Sequence, residues 1–321
     1  MKLGVLTVAL AGRTLEEAFS YLSGLGVQSV EIGAGGYPGT AHLDPVAALS
    51  DPSIITNLKD LLAKYNLTIS ALSCHGNPVH PNKAARDGYR TDFENTCRVA
   101  QLLGVDTVIT FSGCPGDSPE AKNPNWVTCA WPPEYLDTLK YQWEEELIPY
   151  WKEAAAFASA HGITKIALEM HPGFNVYNPR TLLQLREAVG PIIGANFDPS
   201  HLFWQGIDPV EAIKALKGAI YHFHAKDTRV DKYNAAVNGT LETSRYDDFI
   251  GRGWVFRTVG YGNGETVWRD MISTLRAIGY DGAISIEHED GLMSIEEGLE
   301  KAVAFLKPIL MYAAPTEMWW A

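Results

Sequence analysis

Eight short apolar runs recur along the chain, and patterns typical of amphipathic helices lie between them. Each run has the length of a β-strand, and the spacers are long enough for at least one helix each. Strands that alternate with helices form parallel sheets, because a parallel connection needs a crossover. Eight such units in 321 residues predict an α/β protein built as a single closed (β/α)8 TIM barrel. The predicted strands cover residues 2–10, 29–35, 68–76, 106–113, 165–173, 192–201, 219–227 and 282–290.

The predicted helices carry their own start and stop signals. The first one has an apolar residue every three or four positions, and Gly26 follows it as a stop. Three later helices open with Asp51, Asn178 or Asp208 directly before a proline, which matches an N-cap and the first helical position. A doubly wound open sheet is the alternative fold, but its glycine-rich fingerprint does not follow the first predicted strand.

We expect residues 1–313 to form the barrel and residues 314–321 to form an apolar C-terminal tail. Two connections are long, namely residues 114–139 after the fourth strand and residues 228–264 after the seventh. Barrel enzymes build their sites from the loops that follow the strands, and long loops of this kind are often lids or binding loops. We expect the "MWW" of the tail to pack on the barrel or on a neighbouring subunit, because exposed tryptophans are costly.

Charge and composition narrow the possible partners and compartment. The formal net charge is −12 and no Lys/Arg cluster exceeds a pair, so we do not expect nucleic-acid binding. No window approaches 18 uninterrupted apolar residues, so we expect no membrane span. The four cysteines lack C-x-x-C spacing and should be free thiols. We interpret the apolar first residues as a strand, not as a signal peptide, and we expect a cytoplasmic protein that acts on a small molecule.

Ionisable residues concentrate where the predicted strands end. Because the carboxyl ends of barrel strands meet at one face, these side chains should converge there. A single histidine at a strand end is usually structural, but the last four strands all end in histidine plus carboxylate, which indicates a site. The stretch "HFHAKDT" at 222–228 is the densest example. Seven of the nine histidines lie at or just beyond strand ends: His75, His80, His171, His201, His222, His224 and His288.

Alternation along the strands selects a candidate ligand set for a metal. Side chains two residues apart share a face, so Glu169 and His171 point the same way. One oxygen or nitrogen ligand from each of strands five to eight gives Glu169, Asp198, His224 and Glu287. Three carboxylates and one imidazole suit Mn²⁺, with Mg²⁺ or Co²⁺ as alternatives. A structural zinc site would normally use thiolates, and no cysteine is placed here.

The chain resembles the xylose isomerase-like barrel superfamily over essentially its whole length. This superfamily includes sugar phosphate isomerases and epimerases, ketose 3-epimerases, inosose dehydratases, C-glycoside deglycosidases and endonuclease IV. The branch that it resembles most is generally labelled sugar phosphate isomerase/epimerase. The resemblance is carried by "LSCHGNPVHP" at 72–81, "FDPSHLFWQGIDP" at 197–209, "HFHAKDT" at 222–228, "FRTVGYGNGETVW" at 256–268 and "ISIEHED" at 284–290.

Matched residue by residue to the ketose 3-epimerases, the resemblance places the metal ligands on the same four residues. It places the substrate-binding histidine of the strand-six D-x-x-H motif on His201. The substrate arginine of that family falls near Arg229. The spacing is one residue short, so Arg257 in "FRTVG" is a competing candidate.

One position departs from the epimerase pattern. Those enzymes use two metal-bound glutamates as acid and base, which fall here on Glu169 and Glu287. They place a further glutamate six residues past the strand-five ligand, where this chain has Asn175, which does not titrate. His171 shares a face with Glu169 and is therefore a third catalytic candidate, because an imidazole can act as a base near neutral pH.

The resemblance implies a divalent-metal-dependent sugar isomerase or epimerase that acts on a ketose or keto-sugar through a cis-enediolate. The alternative is a lyase of the C-glycoside deglycosidase type, which eliminates the C1 substituent of a 3-keto glycoside and works with a small β-sandwich subunit. Both reactions share the enediolate step, so the sequence leaves both open. We expect a homo-oligomer in the first case and a hetero-oligomer with that subunit in the second.

Other polar residues are ambiguous in the sequence. His75 could contact substrate or belong to a turn, and Lys226 and Asp227 could contact substrate or pair with each other. His222 lies two residues before His224 on the same predicted strand, deeper in the barrel, and we expect it to orient a ligand carboxylate. "GYGNGE" at 260–265 precedes a helix but lacks a following lysine, so we interpret it as a loop and not as a phosphate site.

Two functions from other classes are weaker alternatives. The relationship to endonuclease IV implies metal-dependent DNA cleavage, which the net charge of −12 disfavours. A binding module without catalysis is compatible with the fold alone, since one fold can host many functions. The candidate four-residue ligand set argues against that reading.

Overall fold

A closed barrel of eight parallel strands forms the centre of the computed structural model, which describes residues 1–318 and 320. The strand order around the barrel is β1-β10-β7-β6-β5-β4-β3-β2, so the first and last strands pair and close it. The predicted single (β/α)8 TIM barrel is confirmed. The barrel strands are β1 Lys2–Leu6, β2 Ser29–Gly33, β3 Thr68–Ser73, β4 Thr107–Phe111, β5 Lys165–Glu169, β6 Ile193–Phe197, β7 Ile220–Ala225 and β10 Ala283–Ile286.

The segment after β7 contains a substructure that the sequence patterns did not predict. Strands β8 Asp227–Val230 and β9 Trp254–Arg257 pair antiparallel as a separate two-stranded sheet. The predicted barrel strands were also too long at their ends. The run 2–10 turns into a 3₁₀ helix at Thr7–Leu10, because apolar composition alone does not distinguish a strand from the turn that follows it.

Helices cover the outside of the barrel, and their N-caps form as predicted. The side chains of Asp51, Asn178 and Asp208 each accept hydrogen bonds from backbone N–H groups in the first turn of their helix. A π-helical turn at Gln142–Leu147 separates α5 from α6. The helices are α1 Leu15–Gly24, α2 Pro45–Ser50, α3 Pro52–Tyr65, α4 Lys83–Leu103, α5 Glu134–Tyr141, α6 Ile148–Ala160, α7 Pro179–Val189, α8 Pro199–Phe203, α9 Pro209–Ala215, α10 Lys232–Asn238, α11 Glu265–Ala277 and α12 Ile295–Leu306.

The apolar core lies in two places. The larger part packs between the strands and the helices and includes the fully buried Trp151 and Trp268. A smaller cluster of Ala71, Ile109 and Ala167 lies on β3, β4 and β5. Ala167 is two residues before Glu169 on β5 and therefore faces the barrel interior as well. Aliphatic packing thus fills part of the interior and leaves the ionisable residues together near the carboxyl ends of the strands.

Three further expectations concern the surface and the thiols. In the described part of the chain, no helix is long and apolar enough to cross a membrane. All four cysteines are free, as predicted, and only Cys129 is exposed. Within the tail, Met318 and Trp320 are exposed and Trp319 lies outside the described residues, so the expected packing of the tail on the barrel or on a neighbouring subunit stays a prediction.

Candidate metal site at the carboxyl ends of the strands

Four ionisable side chains from consecutive barrel strands converge at the carboxyl face. Glu169 ends β5, Asp198 follows β6, His224 lies in β7 and Glu287 follows β10. One ligand atom from each lies within 4.8 Å of the others. Asp198 also caps α8, because its Oδ1 accepts the Ser200 backbone N–H at 2.8 Å and so leaves Oδ2 for the cluster. The structure therefore brings together the four residues predicted as metal ligands, which we call the ligand cluster.

Three atoms of the ligand cluster are buried without a hydrogen-bond partner of good geometry among the described residues, although each takes part in an ion pair. They are Asp198 Oδ2, His224 Nδ1 and Glu287 Oε2. A buried polar atom without such a partner costs about 1–3 kcal/mol, and neighbouring carboxylates repel each other as well. Carboxylate oxygens with one imidazole nitrogen are a common donor set for divalent cations. The residues present therefore fit a divalent cation.

Glu169 is held by three donors around its two oxygens. His75 Nε2 lies 3.0 Å from Oε2, Asn196 Nδ2 donates to Oε2 at 3.2 Å, and His201 Nε2 lies 3.1 Å from Oε1. Burial alone would raise the pKa of Glu169, but the hydrogen bonds from the histidines outweigh it and hold the pKa well below its usual range. The predicted substrate residues His75 and His201 therefore contact the ligand cluster directly.

Lys226 is the buried cation of this site. Its Nζ lies 3.1 Å from Asp198 Oδ2, 2.8 Å from Glu287 Oε2 and 3.1 Å from Glu289 Oε2. Only the contact with Glu289 has hydrogen-bond geometry, and the other two are ion pairs. Burial would lower the pKa of Lys226, but these carboxylates raise it well above its usual value. Lys226 is therefore charged beside the ligand cluster, in a position to contact a bound substrate.

Residues 19–309 match the family model described as Xylose isomerase-like TIM barrel. This chain belongs to the xylose isomerase-like TIM barrel family. It is 41% identical over 309 residues to the uncharacterized protein YfiH of Bacillus subtilis (strain 168), a match that covers 96% of this chain and 98% of YfiH.

Two solved structures show how widely this barrel is shared. A D-tagatose 3-epimerase-like protein superposes with a TM-score of 0.63 and 21% identity, covering 96% of this chain and 98% of that one. The IOLI protein with a binding zinc atom superposes with a TM-score of 0.65 and 18% identity, covering 97% and 98%. At these identities the likeness shows the fold alone.

Neither of the two arginines predicted to bind substrate lines the cavity beside the ligand cluster in this xylose isomerase-like barrel. That cavity, of about 170 Å³, includes Lys226 among its described lining residues. Arg229 is exposed on β8 and lines a separate surface depression. Arg257 Nε pairs with Asp290 Oδ2 at 3.0 Å. Spacing along the sequence could not reveal that both arginines lie on the paired strands β8 and β9, outside the lining of this cavity.

Asp227, next to Lys226, has a structural role. Its Oδ2 accepts the backbone N–H groups of Gly260, Gly262 and Asn263 at 2.9–3.0 Å, and its Oδ1 accepts the Asn263 amide at 2.8 Å. These are the N–H groups of the "GYGNGE" loop, so its anion-binding groups are already occupied by a carboxylate of the same chain. Lys226 and Asp227 therefore do not pair with each other.

His171 lies on the wall of the cavity as a neutral imidazole. Burial, reinforced by the neighbouring His201, lowers the pKa of His171 to about 3. Its Nδ1 lies 2.6 Å from the Pro172 carbonyl, to which it donates as Nδ1–H, so the tautomer assigned from this contact leaves the Nε2 lone pair available. The rings of His171 and His201 are 4.1 Å apart between centroids.

Glu31 is the buried site residue that the sequence analysis missed. It lies in the middle of β2 and accepts hydrogen bonds from His224 Nε2 and from Ser285 Oγ, both at 2.9 Å, and from the Ser73 hydroxyl. Burial would raise the pKa of Glu31, but the imidazoles of His224 and His222 lower it to about 2. The available signal was a single carboxylate inside the apolar run "SVEIG".

His222 supports the ligand cluster through Asn196, whereas Asn175 contacts the side of the long loop after β4. His222 Nδ1 lies 3.0 Å from Asn196 Oδ1, so it orients the amide that donates to Glu169. Asn175 is buried and donates to Gln142 Oε1 at 3.1 Å, on the side of the long loop after β4. The position at which the epimerases carry a glutamate therefore supports that loop and does not line the cavity.

Proposed function

We propose that this protein is a divalent-metal-dependent enzyme that moves a proton at a carbon next to the carbonyl of a ketose or keto-sugar, and so isomerises or epimerises it. The observation that supports this most is the ligand cluster, with three buried polar atoms that lack hydrogen bonds and a charged lysine and a neutral histidine beside it. Isomerases and epimerases are among the known members of this fold family, as the D-tagatose 3-epimerase-like structure illustrates.

The ligand cluster would hold the cation through Glu169, Asp198, His224 and Glu287. When bound, a divalent ion polarises a carbonyl as a Lewis acid and makes the neighbouring C–H more acidic. The zinc in the IOLI structure supports a metal in this fold, while the three-carboxylate donor set leads us to propose Mn²⁺, with Mg²⁺ or Co²⁺ as alternatives.

The proton is removed and returned by side chains that line the 170 Å³ cavity. Glu169 and Glu287 are ionised, so either can accept the proton from carbon and return it once it is itself protonated. His171, neutral and with Nε2 available, is the other base. Lys226 carries the positive charge that would stabilise the enediolate oxygen, and we propose that His201 hydrogen-bonds to the substrate beside it.

A second candidate reaction is elimination from a 3-keto glycoside, in which the same enediolate expels the C1 substituent. The observation that favours it is Asn175, which is buried against Gln142 where the ketose epimerases carry a further glutamate. A small β-sandwich subunit would accompany this reaction, and a homo-oligomer would accompany the first one. The free cysteines support our proposal of a cytoplasmic location.

The experiment is turnover of the Mn²⁺-loaded protein in D₂O, with free ketoses and 3-keto glycosides compared by proton NMR and mass. Deuterium at a carbinol carbon with an inverted or moved carbonyl supports the isomerase or epimerase. Release of a free aglycone supports the lyase. Glu287→Gln is the control, since it should lose most of its metal by elemental analysis and all deuterium incorporation. Absence of both products with metal fully bound would contradict the proposed function.

A further inference from the structure

A second cavity adjoins the ligand cluster on the far side of His171. It has a volume of about 410 Å³, and we call it the indole cavity after Trp126, Trp204 and Trp254 in its wall. His171 lines both this cavity and the 170 Å³ cavity of the cluster. A molecule placed at the ligand cluster therefore has room for an additional group beyond the histidine.

The two cavities differ in what they can hold. Ligand pockets for small molecules usually measure about 300–1,000 Å³, so the cavity at the cluster is smaller than a typical pocket and the indole cavity falls within that range. The reacting sugar alone would leave the indole cavity unused. The sizes fit a substrate in two parts, with the reacting part at the cluster and a second part in the indole cavity.

Both long loops that the sequence singled out contribute to this cavity. Trp126 belongs to the loop after β4, Trp204 follows α8, and Trp254 lies in β9 of the hairpin after β7. The rings of Trp204 and Trp254 stack with their centroids 4.7 Å apart and an interplanar angle of 3°. Trp254 Nε1 donates to the Thr240 carbonyl at 3.0 Å, which ties the hairpin together. The wall is therefore organised before any ligand arrives.

The polar groups of the wall disfavour an anionic occupant. Arg252 is the cation that lines this cavity within the described chain, and it is 3% exposed. Its Nε donates to the Trp254 carbonyl at 3.0 Å, its Nη1 donates to the Ser244 carbonyl, and the guanidinium lies 4.6 Å over the Trp254 ring. The guanidinium thus supports the wall, and Glu242 adds a carboxylate to the lining. A phosphate there would be repelled by the Glu242 carboxylate and would compete with these carbonyl groups for the Arg252 guanidinium.

The remaining lining combines aromatic rings with hydroxyl groups. Thr128, Thr240, Thr243 and Ser244 lie among the aromatic residues, and the half-exposed Tyr246 lies at the rim. Aromatic walls with a few polar groups suit an uncharged ring that has apolar faces and polar edges. A phenolic ring and a pyranose both have this chemistry.

We propose that the indole cavity binds a second, uncharged ring of the substrate, so that the substrate is a glycoside in which the reacting sugar lies at the ligand cluster and the attached ring lies against Trp126. The identity of the reacting sugar rests on the proposed function, whereas binding of the second ring does not require turnover. The substrate class is therefore a neutral glycoside, not a free monosaccharide or a sugar phosphate.

Binding of unreactive glycosides tests the cavity without any chemistry. Methyl β-glucoside, phenyl β-glucoside and cellobiose lack the keto group, and their affinities for the Mn²⁺-loaded protein can be measured by calorimetry. We expect phenyl β-glucoside or cellobiose to bind about tenfold more tightly than methyl β-glucoside, because stacking adds to the area that the ring buries. A gain for the phenyl compound alone identifies an aromatic ring, and a gain for cellobiose alone identifies a pyranose.

Two tryptophans of the same loop give a matched pair of variants. Trp126→Ala should remove the gain, whereas Trp131→Ala should keep it, because Trp131 is 75% exposed and does not line the cavity. Tyr246→Ala, at the exposed rim, serves if Trp126→Ala does not fold, and it should reduce the gain. Equal affinity for all three compounds, or no binding of any of them, overturns the proposal. A gain in affinity that survives both Trp126→Ala and Tyr246→Ala also overturns it.

The outcomes separate this inference from the proposed function. A Trp126-dependent gain in binding, together with no turnover of any keto-sugar, leaves the cavity assignment standing and removes the proposed reaction. Turnover of free ketoses without tighter binding of phenyl β-glucoside or cellobiose supports the proposed reaction and overturns the assignment of the indole cavity.

Discussion

Glu31 Oε2 accepts the Nε2–H of His224 at 2.9 Å, at a depth where neither side chain reaches solvent. This bond accounts for the proton on Nε2, so Nδ1, which lies 2.9 Å from Glu287 Oε2, is the nitrogen that can bind a cation once it has lost its proton. Metal-binding histidines usually donate their other ring nitrogen to a carboxylate in this way, which fixes the tautomer and the ring orientation. Glu31 is therefore positioned to hold His224 as a ligand.

Glu31→Gln should weaken binding of Mn²⁺ by about 10–100-fold, because an amide places a neutral group beneath the imidazole. Competition with a chelating indicator measures the affinity. Glu16→Gln is the control, since Glu16 is an exposed partner of Lys64 and should leave the affinity unchanged. Equal affinities of Glu31→Gln and the native protein would refute the role of Glu31.

Binding of the cation should release a proton from His224. Burial would lower the pKa of His224, but Glu31 and Glu287 outweigh it and raise the pKa well above its usual value in the metal-free protein. Because the proton occupies the ligand nitrogen below this raised pKa, the apparent affinity for Mn²⁺ should fall as the pH is lowered. Calorimetry in buffers of different ionisation enthalpy counts the released protons. An affinity that does not change between about pH 6 and pH 8 would contradict this coupling.

Lys226→Gln should separate metal binding from turnover. Removing a positive charge that lies within 3.1 Å of two ligand carboxylates should leave the affinity for the cation unchanged or raise it. Turnover should fall about 10²–10³-fold, because the enediolate loses a fixed positive charge. Metal content and kcat are measured on the same sample. Loss of metal in this variant would show that Lys226 supports the ligand cluster and not the substrate.

His171→Ala should leave the metal content intact and lower kcat by about 10²–10⁴-fold if the imidazole is the base. The pKa of His171 is lowered to about 3, so the ring is neutral across the neutral pH range and should not itself produce a titration in the rate there. His161→Ala is the matched control, because the His161 ring contacts the Phe157 carbonyl at the end of α6. An unchanged kcat would restrict the base to Glu169 or Glu287.

Asp227→Asn should destabilise the fold by about 1–3 kcal/mol, because an amide nitrogen would face backbone N–H groups that now donate to a carboxylate. Four backbone N–H groups, those of Thr228, Gly260, Gly262 and Asn263, donate to this carboxylate, and so do the side chains of Asn263 and Trp268. Urea unfolding measures the change, with the exposed Asp247→Asn as the control. The affinity for Mn²⁺ should be unchanged, which distinguishes an anchor of the loop from a metal ligand.

The barrel and the convergence of the ligand cluster could be predicted because both follow from local periodicity. Alternation along a strand decides which side chains face inward, and the parallel arrangement brings the carboxyl ends of all strands to one face. Glu169, Asp198, His224 and Glu287 each lie at or near such an end, so no knowledge of contacts was needed to expect them together.

The position of Glu31, which was missed, and the positions of the two candidate arginines depend on contacts between distant segments. Glu31 lies beneath His224 only because barrel closure places β2 and β7 on facing sides. The residue spacing in the sequence does not indicate this contact. The positions of Arg229 and Arg257 depend on the β8–β9 hairpin, whose pairing could not be read from a single strand pattern. Side-chain packing of this kind is decided by tertiary structure and not by propensity.

The pairing of β1 with β10 has a consequence for how the protein is made. Glu31 is synthesised early, whereas Glu287 follows β10, which needs both β1 and β7 as neighbours before it is held in place. A nascent chain on the ribosome therefore lacks a complete set of ligands until nearly all of it has emerged. We therefore predict that a cation enters the finished barrel from the carboxyl face. The protein should consequently fold without metal and accept it afterwards, so that stripping with a chelator and reloading restores it without a cycle of unfolding.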